Sequence, residues 1–139
     1  MSLTTDYYSR MIVGYHAGDT LEVEGCLQTL HHASKRLKSD EFPIHHSDRG
    51  SQYCSHAFKK ASDTYGMQLS MTEENHCYEN AVAERLNGIL KQEYWLGGCF
   101  KDKKRAILAI NEAIYLYNER RLHSSLGLRT PAEVYRETA

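Results

Sequence analysis

Residues 42–71 read FPIHHSDRGSQYCSHAFKKASDTYGMQLSM, and they contain the signals of two short strands joined by a helix. The first strand is predicted over residues 42–46 and the second over residues 67–71. Between them, Ser55 can cap the free amides of a helix start, and Gly66 can end that helix. The apolar face of the helix is predicted to consist of Phe58, Ala61 and Tyr65. A strand, a helix and a strand in succession are typical of the α/β class.

The segments on either side extend this α/β pattern. Residues 10–17 are β-branched and aromatic and predict an earlier strand. Asp19–Glu22 has the spacing of a capping box, which predicts a helix from there to about residue 38. A further helix is predicted over about residues 79–95, and Asp102 can open a long one. A second capping box, Thr130–Glu133, predicts the last helix.

Composition describes one globular domain. The chain has 139 residues, of which 41% are hydrophobic, and this excludes wholesale disorder. No apolar run approaches the ~18 residues of a membrane span, and no signal peptide is recognisable. We therefore expect a soluble, cytoplasmic protein. The 17 Lys and Arg residues nearly balance 18 Asp and Glu residues, but from Lys101 to Arg136 basic residues outnumber acidic ones by eight to four. Because of this local excess of basic residues, nucleic acid is still a candidate partner.

The cysteines offer no recognisable metal or redox motif. The four are Cys26, Cys54, Cys77 and Cys99, they lie more than 20 residues apart, and none forms a Cys-x-x-Cys pair. We expect free thiols in a reducing compartment. The spacing of the neighbouring group His45, His46, Cys54 and His56 fits no zinc-ligand template.

Asp48 is the first candidate for chemistry. It lies directly after a predicted buried strand and is followed by a glycine turn and a helix. Ligands and catalytic groups favour such strand ends in α/β sheets. Asp is also a common turn residue, so its position alone leaves open the interpretation that it only begins a turn.

Glu84 is the second candidate. On the predicted helix Val82, Leu86 and Ile89 form the apolar stripe. Glu84 projects to another side of the helix. It shares that side with Asn80, Asn87 and Lys91. An acid, two amides and a cation on one face can bind a ligand, or they can form an ordinary solvated face.

Four motifs together carry a family resemblance. Thirty-five residues separate Asp48 from Glu84, which resembles the D,D-35-E active site of retroviral integrases and related transposases. The segments that resemble this family in order are residues 6–14, 46–53, 78–84, and 117–127 with 130–133. They extend from residue 6 to about residue 135. The chain is identified as an insertion-sequence transposase catalytic core of the retroviral integrase superfamily. The resemblance implies an α/β fold with a ribonuclease H-like mixed sheet flanked by helices.

One element of the family pattern has no counterpart in this sequence. The first catalytic Asp of the family lies on its first strand, whereas Asp6 aligns with a non-catalytic Asp that ends the second strand. We therefore expect the first catalytic strand to be missing at the N-terminus and the fragment to be catalytically incomplete. The expected organisation is an expression leader and truncated strand over residues 1–5, an integrase-type core over residues 6–100, and a helical extension of the same domain over residues 101–139.

The resemblance also implies an activity and its partners. The family performs Mg²⁺-dependent DNA cleavage and strand transfer, with two Mg²⁺ or Mn²⁺ ions in the complete site. Asp48 and Glu84 would be the catalytic, metal-binding carboxylates. DNA would be bound by Lys91, Arg49, Asn80 and Asn87, and the basic surface could extend to Arg120, Arg121 and His123 unless these residues only end a helix. We expect DNA as the partner, no small-molecule substrate and no membrane, a homo-oligomer that pairs its exposed strand edge, and a place at the bacterial nucleoid.

Two alternatives remain at this point. The chain could be a non-catalytic remnant that acts as a DNA-binding or oligomerisation module. It could also be a different ribonuclease H-like nuclease, but such a nuclease would not explain the motif over residues 117–133.

Overall fold

A computed structural model of the chain describes residues 1–18, 22–71 and 81–138. These residues form two compact units. The first unit comprises Met1–Thr4 and Val13–Ala81, and the second comprises Thr5–Ile12 and Val82–Ala139. No helix among the described residues is long and apolar enough to cross a membrane.

Strands and short helices alternate through the first part of the chain. In order they are β1 (Ser2–Thr5), β2 (Ile12–His16), α1 (Val23–Ser34), β3 (Ile44–Ser47), α2 (Ser51–Cys54), α3 (His56–Thr64) and β4 (Gln68–Met71). β1 pairs with β2, and β3 pairs with β4 in a second two-stranded sheet. The predicted α/β class is confirmed, and the described strands pair two by two rather than in one continuous sheet.

The β3–α3–β4 segment has the predicted strand–helix–strand form. β3 and β4 run parallel, with Ile44 opposite Gln68 and Ser47 opposite Met71. The Ser55 hydroxyl accepts a hydrogen bond from the Phe58 amide at 3.2 Å and caps α3, as expected. Gly66 follows the helix in the left-handed conformation, at φ +67°, and lets the chain turn into β4. The buried core of this unit consists of Cys26, Leu30, Phe58 and Met67.

Helices make up most of the second unit. They are α4 (Ala81–Gln92), α5 (Lys103–Glu119), a 3₁₀ turn (Ser124–Leu126) and α6 (Pro131–Thr138). The Asp102 carboxylate caps α5 by accepting from the Arg105 amide at 2.8 Å. Before α6, the Thr130 amide donates to Glu133 at 2.8 Å and the Glu133 amide donates back to the Thr130 hydroxyl at 3.3 Å. Both predicted caps are confirmed.

A pair of hydrogen bonds ties the first residue of β2 to α5. The buried Asn118 side chain accepts from the Ile12 amide at 2.9 Å and donates to the Ile12 carbonyl at 3.1 Å. These are the two bonds that a neighbouring strand would make. The adjacent Tyr117 hydroxyl donates to the Arg10 carbonyl at 3.1 Å, where the backbone has φ +64°. The Tyr-Asn pair of the C-terminal motif therefore holds the turn between β1 and β2.

Several sequence predictions need correction or fall outside the described residues. Ser2–Thr5 forms β1, and its assignment to a leader and truncated strand stays a prediction. The Ser2 carbonyl accepts from the Thr29 hydroxyl at 3.5 Å, so these residues take part in the fold. Residues 19–21 of the first capping box and Cys77 lie outside the described residues. Glu22 precedes α1 without a side-chain cap. The cysteines that are described, Cys26, Cys54 and Cys99, are free, as expected. The domain division at residue 100 stays a prediction.

Replacing Asn118 with alanine tests the hydrogen bonds to Ile12. Asn118→Ala leaves a buried amide and a buried carbonyl unpaired, and we expect the free energy of unfolding to fall by about 2–5 kcal/mol. The measurement is urea unfolding followed by circular dichroism. Asn87→Ala removes an exposed amide from α4 and should change the free energy by no more than about 0.5 kcal/mol. Equal effects of the two substitutions would contradict the structural role of Asn118.

Candidate functional site

Asp48 begins the exposed turn that follows β3. One carboxylate oxygen, Oδ1, accepts a hydrogen bond from the Gly50 amide at 2.9 Å. This is an Asx turn, in which the side chain replaces a backbone acceptor. A Cβ atom at position 50 would lie 3.0 Å from that oxygen and 2.7 Å from Gln52 Nε2. The glycine therefore allows the turn to close tightly, while Oδ2 of Asp48 is not needed for it. The turn interpretation and a ligand role are compatible.

An aromatic cluster supports the strand from which Asp48 emerges. The His45 ring lies 5.3 Å from the Phe58 ring and 6.2 Å from the Tyr53 ring. Burial, helped by the nearby His46, lowers the pKa of His45 to about 4, so the ring is neutral at pH 7. Burial also raises the pKa of Tyr53, with smaller contributions from Cys26 and the negative charge of Asp48. The groups beneath this strand end are therefore uncharged, and Asp48 supplies the charge at its tip.

Glu84 lies on the exposed side of α4. Leu86 and Ile89 of the predicted apolar stripe are buried on the opposite side of the helix together with Leu90, whereas Val82 is half-buried. Asn87 and Lys91 are exposed together with Glu84, three and seven residues further along. At 1.5 Å per residue this face extends over about 10 Å. The helix thus presents a carboxylate, an amide and a cation in a row.

Residues just beyond α4 and α5 form an ion pair that the sequence did not indicate. The Arg121 guanidinium donates two hydrogen bonds to the Glu93 carboxylate, at 2.7 and 2.8 Å. These bonds lower the pKa of Glu93 and keep it ionised. The two residues lie 28 positions apart, beyond the range of any helical or strand period, so no sequence pattern could pair them.

Two of the three residues proposed to extend the basic surface make contacts within the protein. Arg121 is engaged by Glu93. His123 is buried, its ring lies edge-on 5.1 Å from the Tyr117 ring, and burial lowers its pKa. Arg120 is exposed and ends α5, with its amide bonded to the Leu116 carbonyl at 2.9 Å. The end of α5 is therefore held by contacts within the protein, and a DNA role for Arg121 and His123 stays a prediction.

Asp6 has a local role in the turn after β1. Its Oδ2 atom accepts hydrogen bonds from the Ser9 amide at 2.7 Å and from the Ser9 hydroxyl at 2.6 Å. A carboxylate held in this way stabilises the turn. This supports the interpretation that Asp6 is not the first metal ligand.

The predicted site residues fall into two groups. Asp48 and Arg49 lie at the end of β3 in the first unit, and Glu84, Asn87 and Lys91 lie on one face of α4 in the second. Asn80 lies outside the described residues. That Asp48 and Glu84 share one site stays a prediction.

The donor chemistry of the two carboxylates suits a hard divalent cation. Both side chains are exposed, and carboxylate oxygens are the ligands that Mg²⁺ prefers. No group of three or more His, Cys, Asp or Glu residues that could hold a metal occurs in the described ranges, which include His45, His46, Cys54 and His56. Two carboxylates therefore fit Mg²⁺ in kind, but they are a partial ligand set.

Comparisons with known proteins match the chain to integrase core domains and to proteins of insertion elements. Residues 1–77 match a family described as integrase core domain, and residues 65–131 match a second family with the same description. An uncharacterised 31 kDa protein of insertion element IS600 from Shigella sonnei is 37% identical over 91% of the chain and 47% of its own length. The putative transposase of IS986/IS6110 from Mycobacterium tuberculosis is 30% identical over 96% of the chain and 50% of its own length. The chain spans about half the length of these curated relatives.

Solved structures establish the fold. The catalytic core of bovine immunodeficiency virus (BIV) integrase superposes with a TM-score of 0.74 at 18% identity, over 98% of this chain and 84% of that one. The catalytic core of HTLV-2 integrase, solved in complex with magnesium in a trimeric form, superposes with a TM-score of 0.68 at 19% identity, over 94% and 80%. The described chain therefore has the ribonuclease H-like fold of retroviral integrase cores.

Proposed function

The chain belongs to the integrase core domain family, and from that membership we propose that it is the catalytic core of an insertion-sequence transposase that cleaves DNA and transfers the new 3′ end. The observation that carries this proposal is the placement of two exposed carboxylates. Asp48 ends the parallel strand β3, and Glu84 lies on the exposed face of α4. Thirty-five residues lie between them, within the region that matches the family.

In the proposed reaction, water cleaves a phosphodiester and the freed 3′ hydroxyl then attacks a second phosphodiester. Divalent ions, when bound, stabilise the charge that develops on the attacking and leaving oxygens. Asp48 and Glu84 would hold these ions through their carboxylate oxygens. The Asx turn at Gly50 fixes the backbone on which the Asp48 carboxylate is carried. Mg²⁺ or Mn²⁺ is the proposed cofactor because both prefer oxygen ligands, and the HTLV-2 relative was solved with magnesium.

These 139 residues supply two of the three carboxylates that the family pattern requires. The third carboxylate of the family pattern would serve both ions, and a chain without it would bind each ion more weakly. We propose that the 139-residue chain by itself binds Mg²⁺ weakly and cuts DNA negligibly. The same observation favours the second candidate function, a non-catalytic module that binds DNA or forms oligomers.

DNA binding is assigned to the polar side of α4 and the turn after β3. Lys91 would contact a phosphate, and Asn87 and Asn80 would add polar contacts. Arg49 would contribute from the turn after β3. Contacts of this kind give affinity without sequence information, so we propose weak, largely non-specific binding at the bacterial nucleoid. Homo-oligomers are part of the proposal, since the HTLV-2 relative is described in trimeric and dimeric forms and β1 has one edge that no described strand covers.

Strand transfer by the full-length protein that contains this sequence tests the catalytic role. We expect Asp48→Asn and Glu84→Gln each to lower Mg²⁺-dependent strand transfer into plasmid DNA by at least about 100-fold. The Asn oxygen can still accept from Gly50, so Asp48→Asn should preserve the fold. Asp63→Asn, which changes an exposed carboxylate on α3, is the matched control and should retain activity.

Two results would count against this assignment. Full activity of either carboxylate variant would remove that residue from the active site. Mg²⁺-dependent nicking by the 139-residue chain alone, at the rate of the full-length protein, would contradict the proposal that two carboxylates are too few.

The salt dependence of DNA binding tests Lys91. Each phosphate contact contributes a slope of about −0.9 to the plot of log affinity against log salt concentration. Lys91→Ala should therefore make this slope shallower by about 0.9, measured by fluorescence anisotropy with a labelled duplex. Lys60→Ala, at an exposed position on α3, should leave the slope unchanged. If Lys91→Ala keeps the wild-type slope, Lys91 does not contact DNA.

A further inference from the structure

Trp95 stands out in the loop that follows α4. It is 82% exposed and is the only tryptophan of the chain. Its backbone adopts the left-handed conformation, at φ +58°. Bulky side chains rarely occupy this conformation, and helix ends that need it usually carry glycine. A large apolar ring is thus held in water on a strained backbone, and such strain is found mostly at functional sites.

The loop is fixed against the end of α4, so the position of Trp95 is defined. The Leu96 amide donates to the Leu90 carbonyl at 3.2 Å, and the Gly98 amide donates to the Trp95 carbonyl at 3.2 Å. A Cβ atom at Gly97 would lie 3.6 Å from both Cβ and the carbonyl oxygen of Lys91. The loop that carries the indole therefore packs on the residue proposed to contact a phosphate.

The charged residues that flank the loop along the sequence are predominantly positive. Lys91 precedes it, and the exposed segment KDKKR at residues 101–105 follows it. The acid within the loop, Glu93, is neutralised by Arg121. Asp102 faces Arg105 at 3.6 Å. An exposed aromatic ring between cationic segments is the arrangement with which proteins bind single-stranded nucleic acid, because the ring stacks on a base while the cations contact the backbone.

We propose that Trp95 is a stacking platform for an unpaired DNA base, next to a phosphate held by Lys91. The ligand class is single-stranded DNA, since the faces of bases inside a duplex are covered by their neighbours. This inference rests on the proposed function, because it places the platform on the same DNA-binding surface. The stacking platform would contact a base. The other proposed DNA contacts are to phosphates or are polar contacts whose DNA partner is not specified.

The single tryptophan allows a direct test by intrinsic fluorescence. A 12-residue thymidine oligonucleotide should quench the indole emission. An abasic oligonucleotide of the same length should bind, as judged by anisotropy of its label, without quenching. Equal quenching by the two oligonucleotides would overturn the proposal. So would a blue shift of the emission on raising the protein concentration without DNA, because that result would mean that a second copy of the chain covers Trp95.

Substitutions separate stacking from strain. Trp95→Gly should raise the urea midpoint, because glycine accepts φ +58°, and should weaken binding of the thymidine oligonucleotide about tenfold. Its affinity for the abasic oligonucleotide should not change. Trp95→Phe should retain most of the affinity. Leu128, with φ +60° and 68% exposure, is the matched control: Leu128→Gly should raise the midpoint and leave binding unchanged.

The outcomes distinguish this inference from the function on which it rests. If the wild-type chain binds neither oligonucleotide at low salt, the proposed DNA-binding function fails. If the wild type binds both and Trp95→Gly binds the thymidine oligonucleotide as tightly as the wild type does, only the stacking platform fails.

Discussion

The parallel pairing of β3 with β4 is the constraint on which the candidate site depends. Two parallel strands need a crossover, and α3 provides it, held by the Ser55 cap and by Phe58 in the core. Because Ser47 lies opposite Met71 at the last pair of the ladder, the chain leaves the sheet at Asp48. The Asx turn to Gly50 then directs it into α2. A shift of this register would move the carboxylate away from the strand end. The position of Asp48 therefore depends on the core around Phe58.

In the second unit, one face of α4 is exposed to solvent. Its opposite face is buried through Leu86, Ile89 and Leu90, and the end of the helix is secured by the Glu93–Arg121 pair. Tyr117, Asn118 and His123 form a structural group at the end of α5, in contact with Arg10, Ile12 and each other. Three residues of the C-terminal motif therefore make contacts within the protein. They replace a strand partner for Ile12 and pack against one another.

Local patterns in the sequence predicted local structure well, because caps and periods act over three or four residues. The Ser55, Asp102 and Thr130 caps and the apolar stripe of α4 are examples. Contacts distant in sequence were missed. Nothing in the period of α5 indicates that Asn118 bonds to Ile12, which lies 106 positions away. The strained Trp95 also has no sequence signal, since a lone Trp before two glycines predicts only a helix end. β1, which the sequence indicates only as a truncated strand, is recognisable by its pairing with β2.

The proposal that positions 48 and 84 belong to one metal site can be tested without relying on catalysis. Ferrous ion can take the place of Mg²⁺ and, with ascorbate and hydrogen peroxide, cleaves the polypeptide next to its ligands. Cleavage of the wild-type chain should occur near residue 48 and near residue 84, should be suppressed by excess Mg²⁺, and should be weakened at both places in Asp48→Asn but not in Asp63→Asn, because an ion held at either carboxylate would lie next to the other. Cleavage near residue 84 that persists unchanged in Asp48→Asn would show that the two carboxylates do not belong to one metal site.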